Sequence, residues 1–209
     1  MDQTVTQKQR GWRGSEDLWL GAAYDLLVEA GIDAVKVMPL AKTLGLSRAS
    51  FYWHFADRDA LLAALIRRWE EKNTGNLVAQ TRRAAKTISG AMFNLFDLWL
   101  KPELFDSRLD FAIRNWALNA PDLNETLQKA DRTRIEAITD MFARFGYAPE
   151  RAEAFAGTVY YTQIGYISMK VEEPRKSRIS KMPAYVEILT GRAPDADETA
   201  RFLARHGMG

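Results

Sequence analysis

The chain has 209 residues, 47% hydrophobic and 27% charged, a balance that supports a buried core and excludes fibrous and disordered classes. It contains no cysteine, which excludes disulfides, thiolate metal sites and cysteine nucleophiles and removes any need for an oxidising compartment. The formal net charge of +2 is too small to argue for nucleic acid by itself, and residues 1–14 are polar and lack the apolar run of a secretory signal, so a cytoplasmic protein with a flexible N-terminal tail and no membrane partner is expected.

Helical periodicity runs throughout, and nothing reads as a strand series. Trp19, Leu20, Ala23, Leu26, Leu27 and Ala30 recur at three- and four-residue steps, which predicts a first helix over 15–30 that starts at Ser15 and ends on Gly31. A short second helix is expected over 38–44, with Pro39 in its first turn, where a missing N–H is harmless, and Gly45 at its end. Ser47 caps a third short helix over 48–53. The Gly45-Leu46-Ser47 connector has the length and residue types of the sharp turn in a helix-turn-helix. Asp57 opens a fourth helix with the apolar stripe Leu61, Leu62, Leu65, Ile66 and Trp69, extending toward residue 85. Further helices are predicted over 87–100, 107–118, 122–145, 149–171, 183–189 and 197–206, with Pro102, Pro121, Pro149, Pro174 and Pro194 at the breaks. The charged stretch 172–181 reads as an exposed, mobile loop.

Residues 40–62 carry most of the functional information. Leu40, Leu44, Leu46, Phe51 and Phe55 are spaced to lock two short helices at a fixed angle, and Ala41 is small where they cross. Ser47, Arg48, Ala49 and Ser50 lie at the N-terminal end of the third helix, the end that meets base edges when such a helix enters a major groove. Tyr52, Trp53, His54 and Arg58 follow, where flanking phosphates are expected. A single helical turn cannot bury five consecutive residues, so Phe51 and Phe55 are assigned to the core and Tyr52 and Trp53 to the DNA face; His54 fits an interior histidine and a phosphate contact equally well. Lys36, Lys42, Arg48 and Arg58 outnumber the lone Asp57 between residues 34 and 58, and Arg10 and Arg13 add charge upstream.

The segment from about residue 15 to residue 66 closely resembles the DNA-binding domain of the TetR family of bacterial regulators. The resemblance rests on Leu40-Ala41, Gly45-Leu46-Ser47, Phe51-Tyr52-Trp53-His54-Phe55, Arg58-Asp59-Ala60-Leu61, and Ala22-Ala23 with Gly31 in the first helix. Arg58 stands where the family usually carries lysine, and Lys36 and Pro39 stand where threonine and a polar residue are common. The resemblance implies an all-α fold, with an N-terminal helix-turn-helix domain (residues 1–60) followed by a larger helical ligand-binding and dimerisation domain (residues 61–209). It also implies a homodimer on a palindromic operator of double-stranded DNA, its recognition helices roughly 34–36 Å apart, and a repressor released by a small-molecule effector.

A ligand pocket among the middle helices is a further implication, and Trp99, Phe105, Trp116, Asn119, Tyr160 and Gln163 are its candidates. Helix 149–171 carries apolar residues on more than one face, with Ala156, Gly157 and Gly165 permitting close helix contact. The resemblance assigns it to dimerisation, with Val159, Ile164, Ile167 and Tyr185 as candidates; the alternative is a central core helix of a monomer. An enzyme fits poorly. The two histidines, His54 and His206, share no metal-ligand spacing, and neither a nucleophile elbow nor a phosphate-binding glycine loop occurs, so no catalytic residue, metal or cofactor is expected. A helical interaction module accounts for the amphipathic helices but leaves Arg48, Tyr52 and Arg58 without a purpose.

Overall fold

The computed structural model describes residues 14–208, so the expected flexible tail, with Arg10 and Arg13, lies outside the described residues except for Gly14. The chain forms two compact units, Met1–Trp69 and Glu70–Gly209. Among the described residues every regular element is helical.

The first unit contains α1 (Glu16–Ala30), a 3-10 turn (Ile32–Ala34), α2 (Val37–Leu44), α3 (Arg48–Phe51) and α4 (Arg58–Trp69). Ser15 caps α1, its hydroxyl accepting from the Leu18 N–H at 3.2 Å. The α4 stripe Leu61, Leu62, Leu65 and Trp69 is buried, and α4 packs on α1. The sequence reading divided the chain after residue 60, whereas the compact unit takes in all of α4, because these side chains supply its core. A π-helical turn (Glu70–Gly75) separates α4 from α5, interrupting the long helix expected toward residue 85.

The second unit comprises α5 (Asn76–Thr81), α6 (Ile88–Leu100), α7 (Ser107–Ala117), α8 (Pro121–Arg144), α9 (Pro149–Ser168), α10 (Arg175–Thr190) and α11 (Ala196–Arg205). Helix α6 is enclosed: Ile88, Ala91, Met92, Leu95 and Leu98 are buried on one side and Phe93, Phe96 and Asp97 on others. Phe93 stacks on Phe202 of α11, and buried His206 follows with Nε2 2.7 Å from Asp97. Arg175 Nη2 lies 3.2 Å from His206 Nδ1, and a guanidinium only donates, so Nδ1 accepts and Nε2–H donates to Asp97.

The start of α10 also departs from expectation. The stretch 172–181, read as a loop, is helical from Arg175, and Pro183, read as a helix start, lies inside α10. Buried Ile179, Met182, Val186 and Leu189 form a stripe at helical spacing that runs straight past the proline. The charged residues between them are the solvent face. Burial of that stripe offsets the roughly 3 kcal/mol that an interior proline costs.

The core of this unit also holds a charge network. Asp110 and Arg134 are fully buried and joined at 2.9 Å, and Arg114 Nε donates to Asp110 at 2.9 Å. Arg114 also grips Asp131 through two nitrogens at 2.9 and 2.6 Å. Asn73 Nδ2 and Thr74 Oγ1, from the π-helical turn, complete the set at 3.3 Å to Asp110 and 2.9 Å to Arg134 Nε. Burial alone would lower the Arg134 pKa, but Asp110 and Tyr160 outweigh it and hold the guanidinium above its ordinary range.

Candidate nucleic-acid interface and a cleft in the second unit

The turn between α2 and α3 is built from local chemistry. Gly45 adopts a left-handed conformation (φ 64°), which lets the Leu46 N–H reach back to the Ala41 carbonyl at 2.9 Å while its own N–H reaches Lys42 at 3.2 Å. Ser47 then starts α3, its hydroxyl accepting from the Ser50 N–H at 3.2 Å and meeting the Ser50 hydroxyl at 3.0 Å. Phe51 is fully buried edge-on to Trp19, ring centroids 5.3 Å apart, and Phe55 is buried beside it. These contacts fix α3 against α1; of the residues expected to lock the two short helices together, Leu40, Phe51 and Phe55 are buried, whereas Leu44 and Leu46 are only half-buried.

What remains outside is a polar and aromatic edge. Ser47, Arg48 and Ala49 are exposed, and so are Tyr52 (47%) and Trp53 (65%). Arg48 is held in place: its Nε and Nη2 donate to the Tyr52 hydroxyl at 3.3 and 3.0 Å. His54 is half-buried. Two expected contacts take other roles. Ser50 is buried, because its hydroxyl turns back to Ser47. Arg58 turns inward, donating through Nε to the Val35 carbonyl at 2.5 Å and through Nη2 to the Ile32 carbonyl at 2.9 Å, so it ties the 3-10 turn to α4. On α2, Met38, Pro39, Lys42 and Thr43 are exposed beside this edge's own helix pair. Their exposure follows from the inward spacing of Leu40 and Ala41, a signal present in the sequence and not used there.

In the second unit, two cavities share the lining residues Trp99, Tyr166, Glu173 and Arg178. The inner one, about 60 Å³, is walled by Phe96, Val159, Met182 and Leu189; the outer one, about 560 Å³, opens past Ser107 and Arg175. Of the six expected ligand residues, Trp99 and Gln163 line this cleft. Phe105 is core, lying under the Arg134 guanidinium at 5.7 Å. Tyr160 is also buried, its hydroxyl donating to Asp131 at 2.6 Å and accepting from Arg114 at 2.9 Å. Trp116 is half-buried and Asn119 exposed near the end of α7, and neither borders the cleft. Of the expected dimer residues, Val159 and Ile167 are buried inside this unit and Ile164 packs against its core, while Tyr185 is exposed. The large apolar groups that α9 and α10 leave outside are Tyr161 (65%), Tyr185 and Ile188 (70%).

Among the described residues no helix is long and apolar enough to cross a membrane, and no group of three or more histidines and acids is arranged to hold a metal ion.

Residues 20–65 match the model of the bacterial regulatory proteins of the tetR family. Over 44 residues the chain is 48% identical to the tetracycline repressor protein class A from transposon 1721 of Escherichia coli, which covers 21% of this chain and 20% of that protein. Over 128 residues it is 29% identical to the HTH-type transcriptional repressor Rv1474c of Mycobacterium tuberculosis, covering 60% of this chain and 63% of that one. The chain therefore spans less than two thirds of either curated relative. The crystal structure of Mycobacterium smegmatis AmtR superposes with a TM-score of 0.61 at 17% identity, covering 96% of this chain and 98% of AmtR, a likeness of fold.

Proposed function

We propose, from the match of residues 20–65 to the tetR family of bacterial regulatory proteins, that the chain is a sequence-specific DNA-binding transcriptional regulator, a repressor released from its operator by a small molecule. The observation that carries this reading is the exposed edge formed by Ser47, Arg48, Ala49, Tyr52 and Trp53 on a helix pair whose other side buries Leu40, Ala41, Phe51 and Phe55. Side chains at the start of a recognition helix read base edges, and Arg48, braced by Tyr52, presents donors suited to guanine O6 and N7. Lys42 and Thr43 on α2 supply phosphate contacts that position without specifying. Arg58 acts through Val35 and Ile32 by holding the approach to α2.

A second copy of the chain supplies the other half-site, with Tyr161, Tyr185 and Ile188 of α9 and α10 as the apolar centre of the dimer face. The effector occupies the cleft around Trp99 and Tyr166. Because linkage is reciprocal, an effector that weakens operator binding is itself bound more weakly by the operator complex, by the same factor. The family consists of transcriptional regulators, so no residue is assigned a catalytic role. Its place is the cytoplasm, with the DNA.

In vitro selection from random duplexes tests the reading. Enrichment of a palindromic site, retained over random DNA with steep salt dependence, is the expected result. Recovery of no preferred sequence at moderate ionic strength overturns it.

A further inference from the structure

The cleft in the second unit has a chemical bias. Its donors are underused: the Trp99 indole Nε1 is buried and meets no acceptor among the described residues. Arg178 lies over the Tyr166 ring at 4.4 Å, and its guanidinium makes one long hydrogen bond, to Gln163 Oε1 at 3.5 Å. A buried donor without a partner is uncommon in a folded protein and points to an acceptor that arrives from outside. The acids are otherwise placed. Glu173 already accepts from Lys181 Nζ at 2.7 Å and from the Tyr166 hydroxyl at 3.1 Å, and the Lys181 contact holds its carboxyl below the ordinary range. Glu172 is exposed at the mouth.

The start of α10 tilts the balance further. Its first turn carries no acid and no capping side chain, and it places Arg175 and Arg178 on the cleft wall. Cations are unfavourable at a helix start, where the dipole is already positive, and an anion seated there relieves them. On the lining itself Arg175 and Arg178 face Glu172 and Glu173, and Glu173 is already paired with Lys181 outside the lining, which leaves Glu172 as the one acid not so paired. Phe96, Val159, Met182 and Leu189 wall the inner lobe, and the outer cleft has its own apolar wall in Trp99, Leu100, Pro102, Tyr166 and Val171. The inner lobe, about 60 Å³, is too small for a long acyl chain, whereas the outer cleft, about 560 Å³, falls in the range of small-molecule sites and has room for a ring.

We infer that this cleft takes a small aromatic monocarboxylate, its ring against the apolar wall and its carboxylate oxygens accepting from Arg178 and the Trp99 N–H. The assignment rests on the regulator reading only in calling this compound the effector; the site itself stands on the cleft's own groups.

Calorimetry on the full chain without DNA tests it, using cinnamate and benzoate against cinnamamide and benzylamine. The acids bind saturably, about tenfold or more tighter than the amide, and the amine does not bind, as a charge-assisted pair requires. Arg178→Gln brings acid and amide to equal affinity while the unliganded melting temperature is kept, Arg178→Lys recovers part of the preference, and Trp99→Phe weakens the acids several-fold with the ring wall retained. Should the glutamine variant fail to fold, the acid-to-amide ratio of the unmodified chain decides alone. No saturable binding by either acid, equal or tighter binding of amide or amine, or an acid preference that survives Arg178→Gln overturns the assignment. Operator release is read separately: acids that bind without loosening DNA refute the switch and leave the site standing.

Discussion

Arg58, at the first position of α4, donates through Nε to the main-chain carbonyl of Val35, a contact that spans 23 residues and, with the bond to Ile32, fastens the turn that launches α2. The guanidinium is committed to the protein itself. Arg58→Ala is therefore expected to lower unfolding stability by about 1–2 kcal/mol, the range for a part-exposed charged hydrogen bond. It weakens specific and random DNA alike but leaves the salt slope of binding unchanged. A slope that falls by about one unit in a salt titration identifies Arg58 as a phosphate contact instead.

Tyr52 braces Arg48 through its hydroxyl, so Tyr52→Phe keeps the ring and removes only the brace. Operator affinity drops a few-fold, about 1 kcal/mol, while random DNA is bound as before. Arg48→Ala costs about 1–3 kcal/mol on the operator and relaxes base preference. Quantitative gel shifts on both duplexes separate the two; equal losses on operator and random DNA for Arg48→Ala refute its role as a base reader.

The pair Asp110 and Arg134 is buried without solvent, and removing one member takes the nearest counter-charge from the other, leaving Asp110 with Arg114 and leaving Arg134 with the Thr74 and Tyr160 hydroxyls. Arg134→Met or Asp110→Leu alone costs about 3–5 kcal/mol, and the double replacement costs less than their sum. Chemical denaturation of the three variants checks this, and strict additivity shows the two charges to be independent.

Tyr160 titrates late. Burial pushes its phenol up, and the nearby Arg134 and Arg114 only partly oppose this, so the folded-state pKa lies above the ordinary value of about 10. A raised acid contributes stability that is present below the unfolded value and lost as pH climbs past it, because the unfolded phenol ionises first. Alkaline absorbance titration should reveal a phenol that ionises only near unfolding, and Tyr160→Phe should abolish it.

Ile188 is 70% exposed on α10, on the face assigned to the second copy. Ile188→Glu places a charge there and is expected to yield a folded monomer by sedimentation, with operator affinity reduced about a hundredfold or more. A dimer that persists with this change, and again with Tyr161→Glu, places the interface elsewhere.

The helix-turn-helix was legible because its determinants are local: Gly45 for the turn, Ser47 for the cap and Phe51 with Phe55 for the core act within a few residues of where they stand. The ends of α6, α7 and α8 and the start of α9 were legible for the same reason, since caps and prolines mark them, whereas α9 stops at Ser168, short of the expected residue 171, with no such mark. The start of α10 was not, because a proline's local cost was outweighed by a stripe that packing against α6, α9 and α11 makes worth burying.

By itself the sequence determined helical class, the helix-turn-helix and the family resemblance of that segment, all of which follow from periodicity and short-range chemistry. Tertiary structure alone decided the partners of groups far apart in the chain: that Arg58 faces Val35, that Tyr160 joins Asp131, and that Trp99 and Arg178 line one cleft. Helical periodicity tells which side of a helix is covered; what covers it depends on contacts between distant segments, which only the folded chain brings together.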